Sequence, residues 1–264
     1  MAGQTIKIAC LGGVYNNYIA LEAVCLDARQ KGIDDIYCLG DMGAFGPNPD
    51  KVFPILRKFD VKCMQGNYDD SVSQGLDNCQ CGYTDPDDNY FARLSYDYTL
   101  NNTSSENKKW LGKLPKSLNA NIAGHDILMC HGSPRRVNEF LWESTTPTHL
   151  LERFCDQNKV DIILATHTGI HWKRDLSKKR LFANVGVVGR PPNNGDPRIW
   201  YTILTIEQDG AEIEFIPVEY DYHSLAAEMK SVNLPGEFID CVTSGWWTTC
   251  LEVLPHKERV RGKF

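Results

Sequence analysis

Between residues 37 and 49 the sequence reads Tyr37-Cys38-Leu39-Gly40-Asp41-Met42-Gly43-Ala44-Phe45-Gly46-Pro47-Asn48-Pro49. A short apolar run ends in Gly40-Asp41 and is followed by a loop of glycines and prolines, which is typical of a buried strand that ends in a turn. In open α/β sheets, ligands bind outside the carboxyl ends of the strands. Asp41 is therefore a candidate site residue, although an aspartate there often only caps a turn or a helix.

Three further apolar runs also end in residues that can bind a metal ion. They continue into Gln65-Gly66-Asn67, His131-Gly132 and Thr166-His167. Together with Asp41, these side chains make a plausible set of metal ligands. Oxygen and imidazole donors suit Mn, Fe, Zn or Ni, so we predict a transition-metal site.

The composition is that of one large domain. The chain has 264 residues, 42% of them hydrophobic, and a domain of this length buries roughly three quarters of its unfolded surface. No linker divides it, so we predict a single domain over residues 1–264, with its core at about 6–219 and a C-terminal helical extension at 220–264. The net charge is −6 and the basic residues are dispersed, apart from small groups at 173–180 and 257–263. This argues against binding of extended nucleic acid.

The ten cysteines favour small core residues over a disulfide framework. Residues 1–5 lack the charged and apolar regions of a signal peptide, so we expect a cytoplasmic protein with free thiols. Cys79-Gln80-Cys81 is a weak metal or redox signal, because no second pair accompanies it, and we interpret it as an ordinary loop. No apolar run reaches the length of a membrane-spanning helix, so we expect no membrane association.

The order of the predicted elements indicates an α/β protein. Strands at 6–11, 35–39 and 61–64 alternate with helices at 18–32 and 50–57, which is typical of βαβ units and a largely parallel sheet. Residues 71–115 are more polar and helical in pieces. We interpret them as a cap over the sheet edge.

Two local features complete the predicted elements. Asp85-Pro86-Asp87-Asp88 is predicted to form a turn within the cap. Strands at 181–184, 200–206 and 211–218 lie close together in sequence, which indicates a more antiparallel second sheet. We therefore predict two sheets packed face to face, with helices outside.

Taken in order, Gly40-Asp41, Gly66-Asn67, His131-Gly132 and Thr166-His167 resemble the motifs of the calcineurin-like metallophosphoesterases, in particular their small bacterial and archaeal phosphodiesterase-like branch. The likeness extends from about residue 6 to residue 219. It implies a four-layer α/β/β/α sandwich of two mixed sheets flanked by helices. It also implies a metal-dependent phosphoesterase that hydrolyses a phosphodiester or a small phosphorylated compound such as a nucleotide.

The chain departs from the family pattern at the first of the family's two metal sites. Where the family has D-x-H after its first strand, this chain has Gly13-Val14-Tyr15, and Gly169 replaces the second histidine of the last motif. The resemblance leaves the first metal only Asp41. It leaves the second metal all four of its ligands, which are Asp41, Asn67, His131 and His167. We therefore predict an altered centre with one transition-metal ion as its cofactor.

Several further residues have candidate roles at this centre. Tyr68, which replaces a substrate-contacting histidine of the family, and Tyr15 could donate hydrogen bonds to a phosphate oxygen or fill vacated volume. His171 could turn into the emptied space or be an ordinary polar residue. Arg135 and Arg136 could bind phosphate or lie on a solvated surface. The candidate catalytic residues are Asp41, Asn67, His131, Tyr68 and His171, and the candidate substrate-binding residues are Arg135, Arg136 and Tyr15.

Other functions stay open at this point. A catalytically inactive relative would bind a nucleotide or a protein partner through the same cleft, and metal-dependent turnover separates it from an enzyme. A dinucleotide-binding fold is suggested by the first βαβ unit and Gly12-Gly13, but no G-x-G-x-x-G is present. Trp246-Trp247 is interpreted as packing, or as a partner contact if it is exposed. Homo-oligomer formation also stays open.

Overall fold

The computed structural model describes residues 5–260, and this part of the chain contains two five-stranded sheets. The strands, in chain order, are β1 (Ile6–Leu11), β2 (Ile36–Cys38), β3 (Lys62–Cys63), β4 (Ser117–Ile122), β5 (His125–Cys130), β6 (Ile162–Ala165), β7 (Trp172–Asp175), β8 (Leu181–Asn184), β9 (Ile199–Glu207) and β10 (Gly210–Val218).

Helices connect the strands and follow the last one. In chain order the α-helices are α1 (Tyr18–Gln30), α2 (Pro49–Lys58), α3 (Asn67–Gln74), α4 (Pro86–Asn102), α5 (Ser105–Leu111), α6 (Thr148–Asn158), α7 (Tyr222–Ser231), α8 (Gly236–Ser244) and α9 (His256–Arg259). Helices α7 to α9 lie in the predicted C-terminal extension. The division into a core and an extension stays a prediction.

Both sheets are mixed. The first has the order β10-β9-β1-β2-β3, in which β1, β2 and β3 are parallel and β9 and β10 are antiparallel to their neighbours. The second has the order β4-β5-β6-β8-β7, with β5, β6 and β8 parallel and antiparallel strands at both edges. The prediction that the second half forms a separate, more antiparallel sheet is wrong, because β9 and β10 join β1 in the first sheet and antiparallel pairing in the second sheet is confined to its two edges.

The two sheets pack face to face. Successive side chains of a strand point to opposite faces of its sheet. In β1, Ile8 and Cys10 join Ile127 and Leu204 in a buried cluster shared by both sheets, whereas Ala9 joins the cluster beneath helices α1 and α2. A separate cluster packs α6 on the outer face of the second sheet. This arrangement confirms the predicted α/β/β/α sandwich.

The structure corrects two local predictions. Asp85 does not form a turn, because its side chain accepts hydrogen bonds from the backbone N–H groups of Asp87 and Asp88 and caps the long helix α4. Proline at the first helical position favours such a start, since its missing N–H would have had no partner there. The expectation of free thiols is wrong for one pair, since Cys79 and Cys81 form a disulfide. The other eight cysteines are free and buried.

Residues 1–4 and 261–264 lie outside the described residues, and with them most of the amino-terminal stretch and part of the basic tail considered above. Among residues 5–260, no helix has both the length and the apolar character needed to cross a membrane.

Candidate metal centre

Three predicted ligands come together where the two sheets meet. Asp41 follows β2, His131 follows β5, and His167 lies two residues beyond β6. Their ligand atoms all lie within 4.8 Å of one another, Asp41 and His131 are buried, and His167 is 9% exposed. The carboxyl ends of parallel strands from both sheets therefore deliver these residues to one point.

Asp41 is held in an uncommon backbone conformation. Its φ angle is 60°, in the left-handed region that aspartate tolerates better than most residues. The side chain of Asp69 fixes this loop, because it accepts hydrogen bonds from the backbone N–H groups of Asp41, Met42 and Gly66. Burial and the neighbouring charge of Asp41 raise the pKa of Asp69 to about 7. Our residue predictions left out Asp69, although it stands two residues after Asn67.

The loop after β3 approaches Asp41 closely. The backbone N–H of Tyr68 donates to Asp41 Oδ1 at 3.0 Å, at the start of helix α3. A Cβ atom at Gly66 would lie 2.2 Å from the same Oδ1 atom, so only glycine allows this approach. The contact directs the other carboxylate oxygen of Asp41 towards His131.

His131 is oriented by a backbone carbonyl. Its Nδ1 atom lies 2.7 Å from the oxygen of Leu39, and its Nε2 atom lies 3.1 Å from Oδ2 of Asp41. Burial disfavours the charged imidazole, but the charge and hydrogen bond of Asp41 outweigh it, so the pKa of His131 is raised. Burial likewise disfavours ionisation of Asp41, yet the positive charge and hydrogen bond of His131 lower its pKa. Each residue therefore favours the charged form of the other in the metal-free protein.

His167 is oriented in the same way. Its Nε2 atom lies 3.2 Å from the oxygen of Cys81, and its Nδ1 atom lies 3.2 Å from Nε2 of His131. Burial and the nearby charge of His131 lower the pKa of His167 to about 3, so the ring is neutral at physiological pH. With the Nε2–H donating to Cys81, the lone pair on Nδ1 faces the centre.

Asn67 has a free acceptor in the same region. Its Nδ2 atom donates to the oxygen of Cys79 at 2.8 Å, but its buried Oδ1 atom has no hydrogen-bond partner among the described residues. A buried acceptor without a partner carries a free-energy cost of about 1–3 kcal/mol. Coordination of a metal ion would remove that cost, so the donor chemistry of Asn67 fits the predicted ligand set.

A cavity of about 20 Å³ adjoins these residues, and its lining includes Asp41, His167, Tyr15, Tyr68 and Cys81. A cavity needs roughly 10–15 Å³ of such volume to hold one water molecule. The space therefore suits a single ion or water molecule and is too small for a substrate.

Large side chains fill the volume beside Gly13 and Gly169. A Cβ atom at Gly13 would lie 2.3 Å from the ring of Tyr15, and one at Gly169 would lie 3.2 Å from the ring of Trp247. Trp247 is buried and donates from Nε1 to the oxygen of Pro191, so this tryptophan has the packing role predicted for it.

Arg190 brings a positive charge between these aromatic rings. Its guanidinium carbon lies 3.4 Å from the ring centre of Trp247, 4.8 Å from that of Phe45 and 5.9 Å from that of Tyr15. The side chain is only 6% exposed, and its Nε atom has no hydrogen-bond partner among residues 5–260. Sequence reasoning missed this residue, because no motif marks an arginine whose neighbours come from distant parts of the chain.

The remaining predicted residues make other contacts, and their predicted roles stay predictions. The hydroxyl of Tyr68 shares a hydrogen bond of 2.8 Å with Ser95. The ring of His171 packs between those of Trp200 and Phe215. Arg135 and Arg136 are both exposed. Arg135 forms an ion pair with Glu139, and the Nε atom of Arg136 donates a hydrogen bond to Asn138.

Comparisons with known proteins agree with this architecture. The sequence model of the calcineurin-like phosphoesterase superfamily domain matches residues 6–209, and the chain belongs to this family. An uncharacterized protein of Methanocaldococcus jannaschii is 27% identical over 245 residues, which cover 86% of this chain and 93% of that protein.

Two solved structures are similar over most of the chain. A metallophosphoesterase from Sphaerobacter thermophilus is 25% identical, with a TM-score of 0.70, and the match covers 92% of this chain and 100% of that one. A hypothetical protein from Pyrococcus horikoshii has a TM-score of 0.76 at 21% identity, over 92% of this chain and 100% of that one, and this likeness shows the fold alone. The predicted family and fold are confirmed, and the observed fold is not the dinucleotide-binding alternative.

Proposed function

We propose that this protein is a metal-dependent phosphoesterase whose centre holds a single transition-metal ion, of the group Mn, Fe, Zn and Ni, through Asp41, Asn67, His131 and His167. The orientation of the two histidines carries the proposal. Each ring turns one nitrogen towards a backbone carbonyl and the other towards Asp41 and the opposite histidine. Histidines that bind metals are commonly oriented in this way.

In this proposal, side chains of the protein take the place of the family's first metal site. Tyr15 and Trp247 occupy the space beside Gly13 and Gly169, where the family has metal ligands. Arg190 places a positive charge next to both rings. We infer that this guanidinium substitutes for part of the electrostatic role of the absent metal, because a fixed positive charge in a water-poor site stabilises a phosphoryl group as it gains negative charge.

A metal ion held in the remaining site would polarise a phosphoryl oxygen and activate water. The chain's own residues have separate tasks around it. Asp41 supplies negative charge, and its position is fixed by Asp69 and Tyr68. Neutral His167 keeps a lone pair towards the centre. We assign Tyr68 and Tyr15 to positioning a phosphate oxygen, with His171 as a further candidate.

Two grooves adjoin the centre. One has a volume of about 330 Å³ and is lined by His131, Arg135 and Arg136 among others. The other has about 470 Å³ and is lined by Arg136 and the loop around Cys79 and Cys81. Both volumes suit a small ligand. Arg136 borders both grooves without a carboxylate partner among the described residues, so it is the better of the two adjacent arginines for binding phosphate.

One observation favours a second function. The cavity beside Asp41 and His167 has only about 20 Å³, and the ring of Phe140 packs on His167 with 4.4 Å between ring centres. A substrate reaches the centre only if these covering residues move. A catalytically inactive protein that binds a nucleotide or protein partner in the outer grooves needs no such movement.

Hydrolysis of an activated aryl phosphodiester, measured against a series of divalent metals, tests the proposal. We expect weak hydrolysis stimulated by Mn or Ni, and little hydrolysis of an alkyl phosphomonoester, whose poor leaving group most needs the missing charge. His131→Ala protein gives the background rate. If the wild type never exceeds this background while nucleotides still bind, the inactive binding protein is the correct description. The cytoplasmic location and a homo-oligomeric state stay predictions.

A further inference from the structure

The loop that carries the Cys79–Cys81 disulfide borders both the small cavity at the metal centre and an outer groove. Cys81 lines the small cavity together with Asp41 and His167. Both Cys79 and Cys81 line the outer groove of about 470 Å³, and Gln80 between them is exposed. Cys79 is buried and Cys81 is partly exposed, so a soluble thiol or disulfide can approach the pair from the groove at Cys81, the residue that also lines the small cavity.

This loop contacts two of the proposed metal ligands directly. The carbonyl of Cys79 accepts from Asn67 Nδ2, and the carbonyl of Cys81 lies 3.2 Å from His167 Nε2. The sulfur of Cys81 is also 3.5 Å from Asn67 Nδ2. A change in the bonding of Cys81 thus acts on the same side chains that would hold the metal ion.

We propose that in the reduced protein the thiolate of Cys81 is a further ligand of the metal centre, and that formation of the Cys79–Cys81 disulfide withdraws it. The proposal rests on the metal centre proposed above and adds a ligand that the family motifs do not contain. A thiolate is a strong ligand for borderline and soft metals, whereas a sulfur bonded in a disulfide has no free thiolate to give.

The redox step is balanced by a small-molecule disulfide. The thiol of Cys79 and the thiolate of Cys81 together lose one proton and two electrons as their S–S bond forms. The small-molecule disulfide accepts them as its own S–S bond breaks, and it leaves as one thiol and one thiolate. A metal ion held at the centre would lose the thiolate in this step, and Asp41, Asn67, His131 and His167 would still hold it.

A thiolate ligand changes the metal preference of the centre. Oxygen and imidazole donors alone accept Mn readily, whereas an added thiolate favours Zn, Co and Fe. The reduced protein is therefore expected to prefer Zn or Co to Mn more strongly than the oxidised protein does. Cys79 is the matched control, because it is absent from the lining of the small cavity.

Cobalt spectroscopy tests the proposal on the full chain. The protein is loaded with Co²⁺ after treatment with a phosphine reductant, and the near-ultraviolet absorption of a thiolate–cobalt bond is recorded. We expect the band in reduced wild type and in Cys79→Ser, and its absence in Cys81→Ser and in the oxidised wild type. Competition with a chelator measures affinity in parallel, and we expect reduced wild type to hold Co²⁺ at least about tenfold more tightly than oxidised wild type.

The outcomes separate this proposal from the proposed function. Reduced wild type that binds one cobalt ion without the band overturns the thiolate ligand and leaves the metal centre standing. A band that survives in Cys81→Ser also overturns it, because another cysteine is then responsible. Wild type that binds cobalt no better than His131→Ala overturns both proposals. The oxidised wild type needs no substitution, so the comparison holds even if Cys81→Ser folds poorly.

Discussion

The Nε2 atom of His131 lies 3.1 Å from the Oδ2 atom of Asp41, and both side chains are buried. In the metal-free protein a proton on this nitrogen makes the contact an ion pair. The same nitrogen and oxygen are the atoms that would bind a metal ion. Protons and metal ions therefore compete for one position, since a metal requires the imidazole in its neutral form.

Replacement of Asp41 by asparagine is expected to weaken metal binding while the fold is kept. The asparagine side chain would retain an oxygen to accept from the backbone N–H of Tyr68, but the change removes the negative charge from the centre. We expect metal affinity to fall at least about tenfold, measured by competition with a chelator. The exposed Asp209→Asn is the matched control. Loss of the folded circular dichroism spectrum in Asp41→Asn alone would identify Asp41 as a structural residue instead.

The sequence predicted which side chains meet at this point, Asp41, His131 and His167, because strand ends carry a strong local signal. An apolar run that stops at Gly40-Asp41 or before His131 indicates the end of a buried strand. The residue that follows the strand then lies at the edge of the sheet, independently of the rest of the chain. Apolar residues at helical spacing likewise predict a helix at 148–158, and helix α6 has these bounds, Thr148–Asn158.

The residues that sequence reasoning missed act through long-range contacts. Arg190 meets Phe45 and Trp247 only in the folded chain, and Asp69 acts on the backbone of a loop from another strand. Cys81 lines the cavity beside the centre and lies in a loop whose sequence has no hydrophobic periodicity. No local propensity encodes such contacts, so the roles of Arg190, Asp69 and Cys81 could not be predicted from residue spacing.

Arg190→Met is expected to separate catalysis from stability. Methionine can keep the packing against Trp247, and it removes a buried charge whose burial is costly. We expect the free energy of unfolding, measured in urea, to be unchanged or higher, while diester hydrolysis falls by about a hundredfold. Arg153→Met, on the exposed face of α6, is the control. A destabilised variant with wild-type activity would show that Arg190 serves the fold only.

Gly169→Ala tests whether Trp247 fills the volume of the family's second histidine. Gly169 has a φ angle of 79°, and a Cβ atom there would lie 3.2 Å from the tryptophan ring. Gly75 has a similar φ of 66° but open space around it, so Gly75→Ala measures the backbone strain alone, about 1–2 kcal/mol. We expect Gly169→Ala to reduce the free energy of unfolding by more than Gly75→Ala does. Equal losses of unfolding free energy in the two variants would mean that the ring of Trp247 moves aside without a measurable free-energy cost.

The pH dependence of stability is expected to report on His167 in the metal-free protein. The unfolded chain takes up a proton at this residue near its ordinary pKa of 6.5, whereas burial and His131 delay protonation in the folded chain until about pH 3. The free energy of unfolding therefore falls because of His167 as the pH is lowered from 6.5 towards 3, by up to about 1.4 kcal/mol for each pH unit. Urea unfolding at several pH values should show a smaller loss in His167→Gln. Parallel pH profiles for the two proteins would contradict the assignment.

Metal content measured by elemental analysis tests the single-metal centre most directly. We expect about one transition-metal ion per chain in wild type and in the control His149→Ala, whose histidine is exposed on α6. We expect none in His131→Ala or His167→Ala, because each removes a ligand from the set that meets within 4.8 Å. Two ions per chain in wild type, or equal metal content in all four proteins, would contradict a single metal ion held by Asp41, Asn67, His131 and His167.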